Sequence, residues 1–255
     1  MPRERPVDPL TAPVTTAVTT AVMAPWTALV PLRAGSKGLP GKNTRLLAGR
    51  PLYLHAVAQA LEAGATRVIL STDIEAVLQA AHPPGVEALR RPAPLCADDT
   101  PMGPVVLHVL RDAVVQGTVV LLQPTSPLRR AQHILQGLAL HAQGRHELVM
   151  SVTEAERGVL KWGRLKEGRF VPLAQARHVF SNRQSLPPVV RPNGAVYVFD
   201  AAGFQRRGGF ETEHIGAFEM DADASQDIDT LADFERCERL LAARSGPPDT
   251  AGSSA

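Results

Sequence analysis

One short stretch of the chain, Val30–Asn43 (VPLRAGSKGLPGKN), combines residue types that bind anions. Glycines let backbone amides approach a ligand closely, and a turn of such amides cradles phosphate oxygens. No acidic residue occurs between Asp8 and Glu62. The resulting positive field favours an anion-binding loop for a nucleoside triphosphate over the alternative, a solvated basic loop. The glycines and cations of the stretch are Arg33, Gly35, Lys37, Gly38, Gly41 and Lys42.

Two carboxylates near the other end of the chain, Asp227 and Asp229, are candidates for a metal site. Two residues apart in an extended segment, they project to the same side. Such a pair suits Mg²⁺, which keeps several waters and also binds substrate phosphates. In the alternative interpretation, Asp229 or Thr230 caps the helix that follows. The two roles are compatible.

Apolar runs that alternate with amphipathic segments must position these residues. Strands are predicted at Trp26–Leu32, Arg67–Leu70, Thr118–Leu122, Glu147–Val152 and Gly194–Asp200. Helices are predicted after Pro51, from the N-cap Asp73 through Ala81, and over Val105–Val115, Arg130–Ala142 and Asp227–Ala243. The pattern predicts an α/β fold, with a Rossmann-like, mostly parallel sheet and helices on both faces. Ligands bind beyond the carboxyl ends of such strands, so the loops that begin at Arg33, Thr72, Gln123 and Thr153 form the candidate rim.

The sequence divides into one domain and three further segments. The domain is predicted over residues 26–243, with an irregular, basic insert at about 154–192. Residues 1–25 are predicted to be a disordered extension; in the alternative, the protein starts at Met23. Residues 244–255 are predicted to be a disordered tail.

Composition excludes several classes of protein. The net charge is +2, too small to indicate a nucleic-acid partner. The two cysteines, Cys96 and Cys237, lack the spacing of a disulfide framework or a zinc site, which favours a reducing compartment. No stretch is long and apolar enough to span a membrane. We therefore predict a cytoplasmic protein without a membrane or nucleic-acid partner.

The motifs, in their order along the chain, resemble those of the acylneuraminate cytidylyltransferase family (CMP-N-acetylneuraminate, or CMP-sialic acid, synthetases). The resemblance runs from about Trp26 to Leu241. The loop from Arg33 to Asn43 is similar to the signature loop of that family. The further matches are Arg91-Pro92 with Leu95 and Asp98, Leu121–Arg129 (LLQPTSPLR), Ser151–Glu156, Lys161, Arg183-Gln184, Arg191–Tyr197 (RPNGAVY) and Asp227–Asp229.

This resemblance implies an enzyme that transfers CMP from CTP to the anomeric hydroxyl of an acidic nine-carbon sugar and releases pyrophosphate. It implies catalytic roles for Arg33 and Lys37 and a Mg²⁺ cofactor at Asp227 and Asp229. The implied nucleotide-binding residues are Leu32, Arg33, Ala34, Gly35, Ser36, Lys42, Asn43 and Arg91. The implied sugar-binding residues are Gln123, Lys161, Arg183, Gln184 and Asn193. The insert is implied to be a dimerisation subdomain, so that a homodimer shares its active sites.

Six positions depart from the family pattern: Leu32, Ala34, Pro94, Met102, Ser185 and Val190. The departures at Met102, Ser185 and Val190 leave the sugar open, and the one at Ala34 concerns how closely the loop can wrap phosphate. The alternatives are a cytidylyltransferase for legionaminic or pseudaminic acid, or for the eight-carbon acid KDO. The motifs around Arg183 and Asn193 argue against the eight-carbon acid. A nucleotide-binding homologue without catalysis is the alternative from a different class.

Overall fold

A computed structural model of the chain describes residues 24–35 and 38–244. Within these residues the strands are β1 (Trp26–Pro31), β2 (Leu46–Leu47), β3 (Arg50–Pro51), β4 (Arg67–Thr72), β5 (Val86–Arg90), β6 (Thr118–Leu121), β7 (Leu148–Ala155), β8 (Gly163–Lys166), β9 (Arg169–Pro172), β10 (Val189–Asp200) and β11 (Ile215–Glu219). The helices are α1 (Leu52–Glu62), α2 (Glu75–Leu78), α3 (Met102–Asp112), α4 (Ala131–His141), α5 (Ala201–Arg207) and α6 (Leu231–Arg244).

Seven strands form the central sheet, in the order β11-β7-β10-β6-β1-β4-β5. All neighbours pair in parallel except β10, which runs antiparallel to both β6 and β7. The predicted mostly parallel sheet is therefore confirmed. The single reversed strand brings the end of the insert back into the middle of the sheet.

The burial of β1 explains why its sequence is apolar throughout. All six of its residues are buried, as expected for a strand covered on both faces. Ala28 and Val30 belong to the core layer that also holds residues of α1 and α4. Leu29 points the other way, into the layer shared with α3 and α5. The two-residue alternation thus divides one apolar run between two helical layers.

Two helix starts that were predicted at an aspartate are wrong. Asp73 does not cap a helix through Ala81, because α2 covers only Glu75–Leu78 and its N-cap is Ile74. The last helix begins at Leu231 rather than at Asp227. In both places the aspartates that were assigned to helix starts lie in loops at the edge of the sheet.

The insert is an irregular extension at the end of a β-ribbon. Strands β7 and β10 continue as an antiparallel pair from Pro192 opposite Val152 to Val189 opposite Ala155. Beyond them the chain forms the β8–β9 hairpin and short 3₁₀ turns. Several large apolar side chains of this segment are exposed: Trp162, Leu165, Phe170, Val171, Leu173, Phe180 and Val190.

The terminal segments lie largely outside the described residues. This holds for residues 1–23 of the predicted extension, including the alternative start Met23, and for residues 245–255 of the predicted tail. Among the helices of residues 24–35 and 38–244, none combines the length and apolar character that crossing a membrane requires.

Candidate active site

A cavity opens at the carboxyl ends of β1, β5 and β6. The predicted rim loops that begin at Arg33 and Gln123 line it, whereas those that begin at Thr72 and Thr153 do not. Six of the predicted site residues line it together: Arg33, Gly35, Lys42, Asn43, Arg91 and Gln123. They come from three segments far apart in sequence, which follow β1, β5 and β6. The parallel sheet therefore assembles one cation-rich site from separate motifs.

Internal hydrogen bonds hold the loop after β1 in shape. The side-chain amide of Asn43, which is buried, donates to the carbonyl oxygen of Arg33 at 3.0 Å. The backbone amide of Ala34 donates to the Asp73 carboxylate at 2.7 Å. Gly41, at φ 66°, takes the left-handed conformation that begins the turn at Lys42. The loop is thus fixed at both ends, and two of its intervening residues, Ser36 and Lys37, lie outside the described part of the chain.

The same loop packs against the segment that carries the two aspartates. A side chain at Gly38 would clash with the carbonyl oxygen of Asp229, so only glycine permits this approach. The Lys42 ammonium donates to the carbonyl oxygen of Ile228 at 2.7 Å and to the Asp229 carboxylate at 3.1 Å. Two motifs almost two hundred residues apart therefore form one unit beside the cavity.

Arg33 and Arg91 are held in different ways. The Arg33 guanidinium forms an ion pair with Asp98 and remains partly exposed. Arg91 is buried and donates to the Ser71 hydroxyl at 3.1 Å and to the Ser71 carbonyl oxygen at 2.7 Å. Burial lowers the pKa of Arg91 because the desolvated cation lacks its hydration. An anionic ligand in the cavity would restore that lost stabilisation.

The carboxylates of Asp227 and Asp229 are not used to cap the following helix. Thr230 does this instead: its hydroxyl accepts the amide of Asp233 at 3.2 Å, and the Asp233 carboxylate accepts the amide of Thr230 at 2.9 Å. The Asp227 oxygen Oδ1 is buried and lacks a hydrogen-bond partner within the described residues, and burial raises the pKa of this carboxyl. The Asp229 side chain is 74% exposed.

This pair of carboxylates fits a hard cation. A buried carboxylate oxygen without a donor and an exposed carboxylate two residues away are both oxygen ligands of the kind that Mg²⁺ takes. Within residues 24–35 and 38–244, no group of three or more His, Cys, Asp or Glu side chains is gathered for a metal. A Mg²⁺ ion here would therefore complete its coordination with phosphate oxygens and water.

On the sugar side of the predicted site, Gln123 lies against the reversed strand β10. A Cβ atom placed at Gly194 would lie 3.7 Å from the side-chain nitrogen Nε2 of Gln123. The register of β10 shifts between Pro192 and Tyr197, and Gly194 adopts φ 78° there. This bulge brings the RPNG segment beside Gln123.

Asn193 lies in the interior of the fold rather than on the cavity wall. Its side-chain oxygen Oδ1 accepts a hydrogen bond from the Ser151 hydroxyl at 2.6 Å, and its side-chain nitrogen Nδ2 donates to the Ser225 hydroxyl at 2.9 Å. It is 4% exposed. These contacts support the bulge at Gly194, and the predicted sugar contact of Asn193 stays a prediction.

The remaining described residues of the predicted site do not line the cavity. Leu32 is buried in the core, and its amide donates to the Ser71 carbonyl oxygen at 2.9 Å. Lys161, Arg183 and Gln184 lie in the insert, where Arg183 pairs with Glu156 at 3.4 Å across the surface. Their predicted roles are not tested by these positions.

Sequence reasoning missed two residues that shape the site. Asp73 anchors the loop after β1 through Ala34. Arg129 is 2% exposed and donates to the carbonyl oxygens of Gln123 at 3.3 Å and Ala195 at 2.5 Å. The signal for both was present in the sequence, since each is a charged residue directly after an apolar strand or inside a matched motif. Only the fold shows what they contact.

A mostly parallel sheet with a cationic cavity at its carboxyl edge defines a nucleotide-binding α/β protein. Residues 27–167 match the family model described as Cytidylyltransferase. The chain belongs to the cytidylyltransferase family, and the resemblance to acylneuraminate cytidylyltransferases is confirmed.

Similar proteins with curated names fall into two groups by length. The chain is 31% identical over 210 residues to an N-acylneuraminate cytidylyltransferase of Streptococcus agalactiae serotype V, covering 81% of this chain and 51% of that protein. It is 30% identical over 229 residues to the CMP-N,N'-diacetyllegionaminic acid synthase of Legionella pneumophila, covering 84% of this chain and 95% of that protein. The chain thus spans about half the length of the first of these relatives.

A solved structure confirms the Rossmann-like fold. The structure of a CMP:2-keto-3-deoxy-manno-octonic acid synthetase complexed with CTP superposes with a TM-score of 0.66, covering 87% of this chain and all of that one. At 19% sequence identity this likeness concerns the fold.

Proposed function

We propose that this chain is a cytidylyltransferase that transfers CMP from CTP to the anomeric hydroxyl of a nonulosonic acid of the sialic acid type. The observation that carries the proposal is the convergence of Arg33, Lys42, Asn43, Arg91 and Gln123 around one cavity at the carboxyl edge of the sheet. The relatives named N-acylneuraminate cytidylyltransferase and legionaminic acid synthase support the same chemistry.

In the proposed reaction, the sugar hydroxyl attacks the α-phosphorus of CTP. The bond from that phosphorus to the bridging oxygen breaks, and pyrophosphate and a proton are released. The triphosphate must be neutralised, and negative charge grows on the leaving pyrophosphate. We assign this task to Arg33 and Lys37, since one positioned donor of this kind contributes about 3 kcal/mol to catalysis.

The residues proposed to bind the nucleotide include two, Asn43 and Arg91, whose side chains are fixed by hydrogen bonds within the fold. Asn43 fixes the loop through the carbonyl oxygen of Arg33 and borders the cavity. Arg91 supplies a buried guanidinium without a carboxylate partner within the described residues. Leu32, Ala34, Gly35, Ser36 and Lys42 complete the predicted nucleotide-binding set.

We propose Mg²⁺ as the cofactor, held by Asp227 and Asp229. When bound it would neutralise phosphate charge. Lys42 contacts Asp229 and borders the cavity, so the carboxylates lie beside the proposed position of the phosphates. Isothermal titration of Mg²⁺ into the CTP-bound protein, without sugar, tests this assignment. Asp229→Asn should weaken Mg²⁺ binding with the melting temperature unchanged, whereas unaltered Mg²⁺ affinity would contradict the assignment.

The sugar side includes Gln123 in the cavity and Lys161, Arg183, Gln184 and Asn193 outside it. We propose a homodimer in which the insert of one subunit reaches the site of the other. The exposed apolar side chains of the insert support a protein interface there. We also propose that the protein is cytoplasmic.

The dimer is tested by sedimentation velocity over a range of protein concentrations. Phe180 is 93% exposed, and Phe180→Ser should weaken dimerisation about tenfold or more if its ring is buried between subunits. Val114→Ser, which removes an exposed apolar side chain outside the insert, is the matched control. A monomeric wild-type protein, or equal dimer affinities in both variants, would contradict the proposed interface.

The central experiment incubates the protein with CTP, Mg²⁺ and one of four sugars: N-acetylneuraminic, legionaminic, pseudaminic or eight-carbon KDO acid. Pyrophosphate release is measured. We expect the highest kcat/KM with a sialic-acid-type sugar. The legionaminic and pseudaminic alternatives have support in named relatives. CTP binding without pyrophosphate release in the presence of any of the four sugars would instead identify a non-catalytic nucleotide-binding homologue.

A further inference from the structure

A second cavity, of about 400 Å³, lies away from the candidate active site. Its wall includes residues of α1, the start of α4 and the end of α6. Among the described residues, none lines both cavities. The loop after β6 separates them, with Gln123 and Thr125 on one side and Pro127 and Arg129 on the other.

The charge of this second cavity is strongly one-sided. Four arginines line it: Arg50, Arg129, Arg130 and Arg244. Glu62 is the one carboxylate among its described lining residues. None of the four guanidinium groups has an ion-pair partner among the described residues. Four arginines beside one carboxylate leave an excess of positive charge, which a bound anion would balance.

Arg129 gives the strongest evidence for an anion in this cavity, because its side chain is buried. Nη1 donates to two carbonyl oxygens, but Nε and Nη2 are buried without acceptors. Desolvation lowers the pKa of Arg129 to about 9. A buried cation without a counter-charge is destabilising, and a nearby anion would offset that cost.

The start of α4 adds to the positive potential. Ala131 and Gln132, the first two residues of this eleven-residue helix, line the cavity. The first amides of a helix lack intrahelical acceptors, and the helix dipole favours negative charge at that end. Guanidinium forks and helix amides together match the tetrahedral oxygens of a phosphate group.

We propose that this cavity, which we call the α1–α4–α6 cavity, is a second anion site that binds a small phosphate-bearing ligand. Free inorganic phosphates and organic phosphate monoesters share this chemistry. The site does not depend on the activity proposed for the other cavity. Because the loop after β6 borders both, its occupant lies one loop away from Gln123.

The test counts binding sites by isothermal titration calorimetry in the absence of CTP, Mg²⁺ and sugar. Pyrophosphate, orthophosphate and glucose 6-phosphate are titrated separately into the full chain. The variant is Arg50→Gln with Arg130→Gln, both of which are exposed and outside the candidate active site. The matched control is Arg145→Gln with Arg206→Gln, which removes the same charge from exposed positions elsewhere. Arg50→Gln alone is a second, milder variant.

We expect the wild type and the control to bind one more anion than the double variant, and Arg50→Gln to weaken that site about tenfold or more. The anion with the highest affinity at the lost site identifies the source of the phosphate group. Equal numbers of sites in the wild type and the double variant would overturn the proposal. Anion binding at the first cavity is the same in the wild type and the double variant and so does not affect this difference. A failure of the function proposed for the first cavity would therefore be distinguishable from a failure of this proposal.

Discussion

The carboxyl edge of the sheet and the insert were both predicted to contribute to one active site, but their residues are held very differently. At the sheet edge, Asn43 and Arg91 are buried and hydrogen-bonded to the backbone of neighbouring strands and loops. In the insert, Arg183 and Gln184 are exposed, and among the described residues the Arg183 side chain has a single surface ion pair, with Glu156. One region is preorganised within the subunit, while the other exposes both its polar and its apolar side chains.

This difference indicates what each region does for a substrate. Preorganised cations lower the energy of a transition state because they need no reorganisation during the reaction, so the sheet edge suits the phosphoryl chemistry. Exposed side chains gain a fixed position only when another surface covers them. The insert therefore suits recognition of the sugar in a site completed by a second subunit, as proposed above.

The largest expected effect comes from the sheet edge. Arg33→Ala should lower kcat by about 100- to 1000-fold, because it removes a positioned cation from the proposed phosphate site. The free energy of unfolding should change little, since Arg33 is partly exposed and its ion pair with Asp98 is at the surface. Steady-state pyrophosphate release measures the first quantity and urea denaturation the second. Arg206→Ala, on the surface of α5, is the control, and a kcat for Arg33→Ala equal to that of this control would refute the assignment.

A smaller effect is expected from Asn193, and it should appear in stability. Asn193→Ala removes a hydrogen bond from each of the buried hydroxyls of Ser151 and Ser225 and from the buried amide of Ala195. We expect the free energy of unfolding to fall by about 1–3 kcal/mol, the cost of unsatisfied buried polar groups. Urea denaturation measures this loss, and Asn182→Ala, at an exposed position in the insert, should leave stability unchanged. If Asn193→Ala instead raised the KM for the sugar without a loss of stability, Asn193 would be a direct sugar contact.

The contrast between Asn193 and Arg33 shows how far the sequence leads. Motif order and apolar periodicity predicted the strands β1, β4, β6, β7 and β10 and two of the segments that line the cavity, after β1 and β6. They did not predict β5, which precedes Arg91. They did not predict that Asn193 would lie in the interior, because its partners Ser151 and Ser225 are far away in sequence. They also did not predict that β10 is antiparallel, since an apolar strand has the same pattern in either direction.

Asp73 shows a second limit of local patterns. An aspartate before a helical segment is the usual signal of an N-cap, and this interpretation was wrong. Its carboxylate is used by Ala34, 39 residues earlier in the chain. A contact between two neighbouring strand ends depends on the order of strands in the sheet. That order appears only when the chain has folded.

The smallest effect is expected from the insert, and it tests the comparison most directly. Arg183→Ala should leave the free energy of unfolding unchanged, because its side chain is 70% exposed and its ion pair is screened by water. If Arg183 binds the sugar carboxylate, the variant should raise the KM for the sugar about tenfold, as expected for the loss of one charge-assisted hydrogen bond. The kcat and the KM for CTP should stay close to those of the wild type. Arg164→Ala, in the same insert, removes the same charge at another exposed position and should leave all three constants unchanged. Equal sugar KM values for the two variants would show that Arg183 does not bind the sugar carboxylate. A fall in kcat for Arg183→Ala would mean that the insert acts in the chemical step, as the sheet edge does.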